Sequence, residues 1–201
     1  KILERILHSR LSDHLQTFPS ISSYQSAYRK YHSTETALLR FHNDLLLGIN
    51  QQKLSALVLF DLSAAFDTID HNIRLNRLTR TFGVTGKALS LLSSYITNRT
   101  QSLIINDHLT SPSPLHTGVP QGSVLGPLLF SLYTTPLSFL FNDSPVSFHL
   151  YADDTQLYIS FTASESAKNL SILSSTLDSV PAWLTANRLS FNPSKTEYLL
   201  V

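Results

Sequence analysis

His149-Leu150-Tyr151-Ala152-Asp153-Asp154-Thr155-Gln156-Leu157-Tyr158-Ile159 sets two short apolar runs around a pair of acidic residues. Before the pair, Val146, Phe148 and Leu150 alternate with polar neighbours, and after it Leu157, Ile159 and Phe161 do the same. A period of two belongs to a half-buried strand, so the stretch predicts a β-hairpin with Asp153-Asp154 at its tip. Asp tolerates the left-handed backbone of a two-residue turn, which accounts for one of the pair. The second needs another reason. Adjacent carboxylates repel, and a hard divalent cation such as Mg²⁺, which takes oxygen ligands, removes that cost. A plain surface turn competes with the metal reading until the rest of the chain is considered.

Upstream, Leu54 to Leu62 is almost wholly apolar and predicts a central strand buried on both faces. It carries Asp61 at its end, where a carboxylate needs a cap, a salt bridge or a metal. Ile2, Leu3, Ile6, Leu7, Leu11 and Leu15 recur at helical spacing and predict an opening helix that ends near Phe18-Pro19. Ser33-Thr34 predicts an N-cap. The helix after it should turn Ala37, Leu38, Phe41, Leu45, Leu46 and Ile49 inward, with Gly48 near its end. Asp67-Thr68-Ile69-Asp70 breaks the strand pattern, and helices are expected over 72–82 and 86–98. Strands follow over 99–105 and 108–115, joined at Asn106-Asp107.

Thr117-Gly118-Val119-Pro120-Gln121-Gly122-Ser123 is a Gly/Pro loop leading into an apolar helix from about Val124 to Phe139. Its glycines let backbone approach a ligand, and the helix start offers free N–H groups to an anion. Residues 163–189 read as helical with a break at Pro181, with Trp183 and Leu184 in the core. A turn over 189–197 then leads into a last strand. One domain is expected, because no repeat or low-complexity linker divides the chain.

Composition narrows the classes. The chain has 201 residues, a formal charge of +1, no cysteine and eight scattered histidines. A real core is affordable at this length, whereas disulfides, zinc knuckles and thiol catalysis are excluded within it. Near-neutral charge argues against a simple basic nucleic-acid module. No apolar run approaches membrane-spanning length and no signal peptide opens the chain, so the expected setting is intracellular, without a membrane. The missing Met at position 1 and the strand-like Tyr198-Leu199-Leu200-Val201 lead us to expect cuts through something longer.

The residues now form a constellation: Asp61 at the end of one buried strand, Asp153 and Asp154 at a hairpin tip, and a glycine loop between them. Three carboxylates converging from neighbouring strands can hold two divalent ions, as nucleotidyl transfer requires. In this order the motifs resemble the reverse transcriptase domain of a non-LTR (LINE-type) retrotransposon. Lys1-Ile2-Leu3-Glu4-Arg5, Gln25-Ser26-Ala27-Tyr28-Arg29 and His32-Ser33-Thr34-Glu35-Thr36-Ala37 are similar to its fingers motifs, and Phe60-Asp61-Leu62-Ser63-Ala64-Ala65-Phe66-Asp67 to its first palm motif. Gly118 to Pro127 resembles the glycine-proline-glutamine loop, Tyr151-Ala152-Asp153-Asp154 the catalytic hairpin, and Asn192-Pro193-Ser194-Lys195-Thr196 the motif that closes the palm.

The resemblance implies an α+β palm-and-fingers fold, an antiparallel sheet backed by helices. Partial fingers are expected over about 1–53, and a palm over about 54–201 interrupted by a helical segment over about 70–116, with the thumb absent. It implies RNA-directed DNA polymerisation with two Mg²⁺ ions, Mn²⁺ as a substitute, an RNA template paired to a DNA primer, and dNTPs, in the cytoplasm and nucleus. By the same resemblance Asp61 and Asp153 bind both metals, Asp154 supports them, and Lys195 donates a proton to pyrophosphate or anchors its turn. Backbone at Leu62 and Ser63 faces the triphosphate, Phe66 excludes a 2′-hydroxyl, Gln121 lies over the nucleotide with Gly122 allowing approach, and Arg29 contacts the triphosphate. Ala27-Tyr28 stands where the family more often has Gly-Phe, and Arg74 interrupts a segment that is usually apolar. A viral-type RNA-dependent RNA polymerase is disfavoured by Phe66 and by Ala152, where that family has glycine. An inactive relic that folds and at most binds nucleic acid is the alternative.

Overall fold

The computed structural model describes residues 1–17 and 22–201, so the expected helix end at Phe18-Pro19 lies outside the described residues. The chain enters through α1 (Ile2–Thr17) and α2 (Thr34–Asn50). Ser33 caps α2 as expected: its hydroxyl accepts the Thr36 amide at 3.3 Å while Thr36 Oγ1 accepts the Ser33 amide at 2.9 Å, a reciprocal box that satisfies two otherwise unpaired N–H groups. β1 (Leu54–Phe60) follows, then Asp61, then β2 (Leu62–Ser63), α3 (Ala65–Thr68), α4 (His71–Arg80) and α5 (Gly86–Ile96). Asp70 starts α4 by accepting the amides of Asn72 and Ile73 at 2.8 and 2.9 Å. Short strands β3 (Arg99–Gln101), β4 (Ile104–Ile105), β5 (His108–Leu109) and β6 (Ser113–Leu115) form an excursion before α6 (Gly126–Thr134). The rest is β7 (Ser147–Tyr151), β8 (Asp154–Phe161), α7 (Ser166–Asp178), α8 (Val180–Ala186), β9 (Ser190–Phe191) and β10 (Glu197–Leu200).

One antiparallel sheet, in the order β10-β1-β8-β7, organises these elements. β1 is central, pairing from Leu54↔Phe161 to Phe60↔Thr155 on one side and with β10 on the other. On one face Ala56, Val58, Phe60, Phe148, Leu150, Leu157, Ile159 and Phe161 are buried, as the alternation predicts, against Phe130 and Tyr133 of α6, Leu173 of α7 and Leu184 of α8. The other face is covered too. There α2 lies on the sheet, with Phe41 edge-on to Tyr158 at 5.3 Å and the Tyr158 hydroxyl donating to Asp44. Residues 24–26 run beside β7: the Leu150 amide donates to Tyr24 O at 2.9 Å, the Ser26 amide to Leu150 O at 3.0 Å, and Ser26 Oγ bonds the buried His149 Nε2 at 2.7 Å. A second core joins α1, α4, α5 and the start of α6 around Leu11, Leu78, Phe82, Leu92 and Leu129.

The structure corrects several expectations. The hairpin tip is Ala152-Asp153, and Asp154 already sits in the ladder opposite Tyr151. The apolar run 54–62 breaks at Asp61, after which Leu62 and Ser63 leave the main sheet to pair with Phe191 and Ser190. In α2, Leu38, Leu46 and Ile49 are exposed and the contacting stripe is Ala37, Phe41, Asp44, Leu45 and Gly48; a polar residue bonded to Tyr158 and a glycine disguise it. Gly48 is there because the sheet comes close, a Cβ at that position lying 3.1 Å from Ser160 Oγ. Ile2, Leu3 and Ile6 are exposed on α1, which buries only Leu11 and Leu15. The excursion over 99–115 is four short strands rather than two, interrupted where Thr110 Oγ1 accepts the Leu103 amide at 2.9 Å. The helix after the glycine loop tightens at Thr135–Leu140 into a 3₁₀ turn containing Pro136.

Gln25 ties the N-terminal segment to the hairpin. It is 1% exposed, and its Oε1 accepts the amides of Ala27 at 3.0 Å and Ala152 at 3.3 Å. Gln25→Leu strips both amides of their acceptor and is expected to cost about 1–3 kcal/mol. Urea unfolding measures this, and a midpoint equal to that of the parent chain would show that the clamp contributes nothing.

Candidate active site

The register explains why the acidic residues meet. β1 and β8 pair through Phe60↔Thr155, so one step further along the ladder Asp61 comes opposite Asp154, with Asp153 beside them in the turn. Ala152 makes that turn possible with φ +56, a left-handed backbone that glycine favours and that costs an alanine about 1 kcal/mol. The Gln25 bond to the Ala152 amide holds it there.

Lys195 completes the group. It ends a 3₁₀ turn, Pro193–Lys195, placed by the Asn192 amide on Asp61 O at 3.0 Å and by the β10 pairing of Glu197 with Leu59. Its Nζ donates to Asp61 Oδ2 at 2.7 Å; the Asp61 side chain is 14% exposed, that of Lys195 66%. Burial raises the Asp153 carboxyl above its ordinary value; its own backbone N–H opposes this, and the Asp61 charge adds to it. Asp154 is raised by desolvation and then by the charges of Asp153 and Asp61. The Asp61 bond raises Lys195. Each shift is that expected of anions crowded together with one cation among them.

The glycine loop stands on the segment after Asp61. Ala64, at φ +45, turns the chain into α3, and Phe66 there stacks on Phe130 with ring centroids 4.3 Å apart. Phe66 O accepts the Val119 amide at 3.0 Å, and Ile69 O accepts the Gly118 amide at 2.8 Å. Gly118 must be glycine: its φ is +87, and a Cβ would lie 3.1 Å from Asp67 O. Its carbonyl accepts from His71 Nε2 at 3.1 Å and Arg74 Nη2 at 3.0 Å. Gln121 and Gly122 form an exposed turn, with Gly122 at φ +67. Gln121 also borders a cleft of about 450 Å³ whose walls include Asp67, His71, Arg99 and Thr117.

The sheet thus brings Asp61, Asp153, Asp154 and Lys195 together. Phe66 is tied through the Val119 amide to the loop that carries Gln121 and Gly122, and Leu62 and Ser63 follow Asp61 directly, one strand edge taken by β9. Arg29 is directed elsewhere, with Nη1 donating to Gln25 O at 3.1 Å and Ser22 O at 3.3 Å. Tyr28 faces the site, its hydroxyl raised by burial and then by the Asp153 charge.

The family described as Reverse transcriptase (RNA-dependent DNA polymerase) matches residues 1–200. The chain belongs to it. Among known proteins, the probable RNA-directed DNA polymerase from transposon BS of Drosophila melanogaster is 30% identical over 98% of this chain, which spans 22% of that protein. The RNA-directed DNA polymerase from mobile element jockey of the same species is 28% identical over 97% of this chain and 21% of its own length. The chain therefore spans about a fifth of these relatives. Apo telomerase from Candida tropicalis, truncated from its C-terminal domain, superimposes with a TM-score of 0.70 at 16% identity over 98% of this chain and 40% of that one. That likeness is one of fold, and it agrees with the palm-and-fingers architecture that the motifs imply.

In this reverse transcriptase chain the donor set suits a hard cation: every candidate ligand is a carboxylate, and burial holds those of Asp153 and Asp154 above their ordinary values. Among the described residues no group of three or more His, Cys, Asp or Glu side chains is placed to hold a metal ion, and the Lys195 ammonium lies on Asp61. Sequence reading missed the support given by Gln25, Tyr28, His71 and Arg74. Gln25 and Tyr28 belong to the segment over 25–29, and only the fold shows that this segment touches the hairpin.

Asp153 titrates higher folded than unfolded, so the stability it contributes is complete below its ordinary value of 3.8 and is lost as pH rises through the raised value. Asp153→Asn removes the charge and is expected to raise Tm at pH 7, with the advantage shrinking as pH falls toward 3.8. Thermal melts across pH test this. An Asn variant less stable than the parent at pH 7 would contradict it.

Proposed function

We propose that this chain is the polymerising core of an RNA-directed DNA polymerase, extending a DNA primer on an RNA template with dNTPs. The observation that carries the reading is the meeting of Asp61 with Asp153 and Asp154 at the ends of paired strands. In the reaction the primer 3′-oxygen bonds to the α-phosphorus of the dNTP, the bond to pyrophosphate breaks, and the hydroxyl proton is lost. Two Mg²⁺ ions, for which Mn²⁺ substitutes, would acidify that hydroxyl and neutralise charge at the phosphorus. Asp61 and Asp153 would hold them, with Asp154 adding negative potential.

The remaining roles follow from position. Lys195, now on Asp61, is near enough to the carboxylates to deliver a proton to pyrophosphate. The Leu62-Ser63 backbone leads from Asp61 toward the triphosphate, and the Phe66 ring, which stacks on Phe130, would lie under the sugar and exclude a 2′-hydroxyl. Gln121 lies over the nucleotide, and Gly122 keeps backbone close to it. Arg29 is assigned to the triphosphate only if it exchanges its present carbonyl partners for phosphate. Residues 1–53 would act as fingers and 54–201 as palm, with 70–116 an insertion whose helices α4 and α5 pack with α1 and α6 in the second core. Template, primer and dNTPs put the activity inside the cell, in cytoplasm and nucleus. Among the described residues no helix is long and apolar enough to cross a membrane.

Primer extension on an RNA template with dNTPs and Mg²⁺ tests the reading, with Asp153→Asn and Phe66→Val alongside. The parent chain should extend, Asp153→Asn should lose at least about 100-fold, and Phe66→Val should gain ribonucleotide incorporation. Equal extension by the parent chain and Asp153→Asn would overturn it.

A further inference from the structure

The loop from Gly118 to Val124 is gripped by charged side chains at both ends. At its start, Arg74 and His71 donate together to the Gly118 carbonyl. At its end, Glu4 Oε2 accepts the Val124 amide at 2.6 Å, reaching across from α1 over a separation of 120 residues, and the Tyr95 hydroxyl of α5 donates to the same oxygen at 3.4 Å. The Val124 bond holds the Glu4 carboxyl below its ordinary value, so the acceptor is an anion at neutral pH.

Neither contact is required by the helix or the core it touches. Val124 precedes Leu125, the N-cap of α6, and the first helical amide, Gly126, already has the Ser123 hydroxyl at 2.9 Å. Glu4 therefore ties down the end of the loop where it enters α6. Arg74 is 1% exposed, and its Nε and Nη1 reach no acceptor. An apolar side chain would serve the surrounding core better, because a buried guanidinium with unpaired donors is destabilising. What Arg74 supplies in exchange is a charge-assisted bond to the carbonyl where the loop begins.

We propose that Glu4 and Arg74 are positioning residues for Gln121: from opposite sides they fix the two ends of the glutamine loop, so that its crest is ordered before nucleotide arrives. A loop ordered in advance loses less freedom on binding, which strengthens the interaction without a new contact. The inference rests on the reading of Gln121 as a nucleotide contact, but the clamp itself is a property of the free protein.

Two measurements on this chain separate them: hydrogen exchange of the amides over 118–126, and the KM values for dNTP and for primer–template. Glu4→Ala should speed exchange in this loop about tenfold, leave β1 and β8 protected, and raise KM for dNTP severalfold with KM for primer–template unchanged. Glu4→Gln keeps an acceptor oxygen and should stay within about twofold of the parent chain. Arg74→Leu should raise Tm while speeding loop exchange, a divergence that a merely structural arginine does not give. Loop exchange unchanged in Glu4→Ala, or raised equally throughout the domain, overturns the proposal. Failure of the parent chain to extend a primer would count against the polymerase reading alone, since exchange decides the clamp without turnover.

Discussion

Like charges at the end of the central strand are the constraint on which the rest depends. Antiparallel pairing of β1 with β8 brings Asp61 opposite Asp154, and a two-residue turn sets Asp153 beside them. Such a group resists ionisation: burial first, and then the neighbouring charges, hold the Asp153 and Asp154 carboxyls above their ordinary values. Lys195 offsets part of the repulsion from the turn before β10. The surroundings hold the arrangement in place: α6, α7 and α8 pack one face of the sheet, α2 covers the other, residues 24–26 pair along the edge of β7, and Gln25 braces the turn itself. A strained alanine and crowded anions are what a stable fold tolerates where positioned charge is the function.

Much of this was legible because strands announce themselves by alternation, and the acidic residues that meet here fall at strand ends where local structure gives them no partner. Val146, Phe148, Leu150, Leu157, Ile159 and Phe161 all proved to be core, and Asp61 stood out as a charge with no local partner. The hairpin tip was misplaced by one residue. Asp-Asp is the better turn former by local preference, yet the ladder claims Asp154, and the positive φ falls on Ala152. The face of α2 was misread for a related reason, since its contacts include Asp44 and Gly48 while several of its leucines face outward. Gln25, Glu4 and Arg74 were beyond reach, because each acts on a segment far along the chain and nothing in local pattern records such a partner.

The two cores divide the labour. The sheet core carries the carboxylates, and the helical core of α1, α4 and α5 carries the side chains that reach the glutamine loop. α6 joins them, giving Phe130 and Tyr133 to the sheet core and Leu128, Leu129 and Leu132 to the helical one. A frame of this kind superimposes on telomerase at 16% identity, as expected where backbone placement of a few groups matters more than the residues between them.

On the proposed reading, the crowding of Asp61, Asp153 and Asp154 makes a divalent-cation site. Thermal melting with increasing Mg²⁺ tests it most directly, comparing the parent chain with Asp153→Asn. Binding to the folded state alone should stabilise the parent chain by about 1–3 kcal/mol near saturation, and the variant should gain far less. Equal stabilisation of both proteins, or none of either, would contradict the claim.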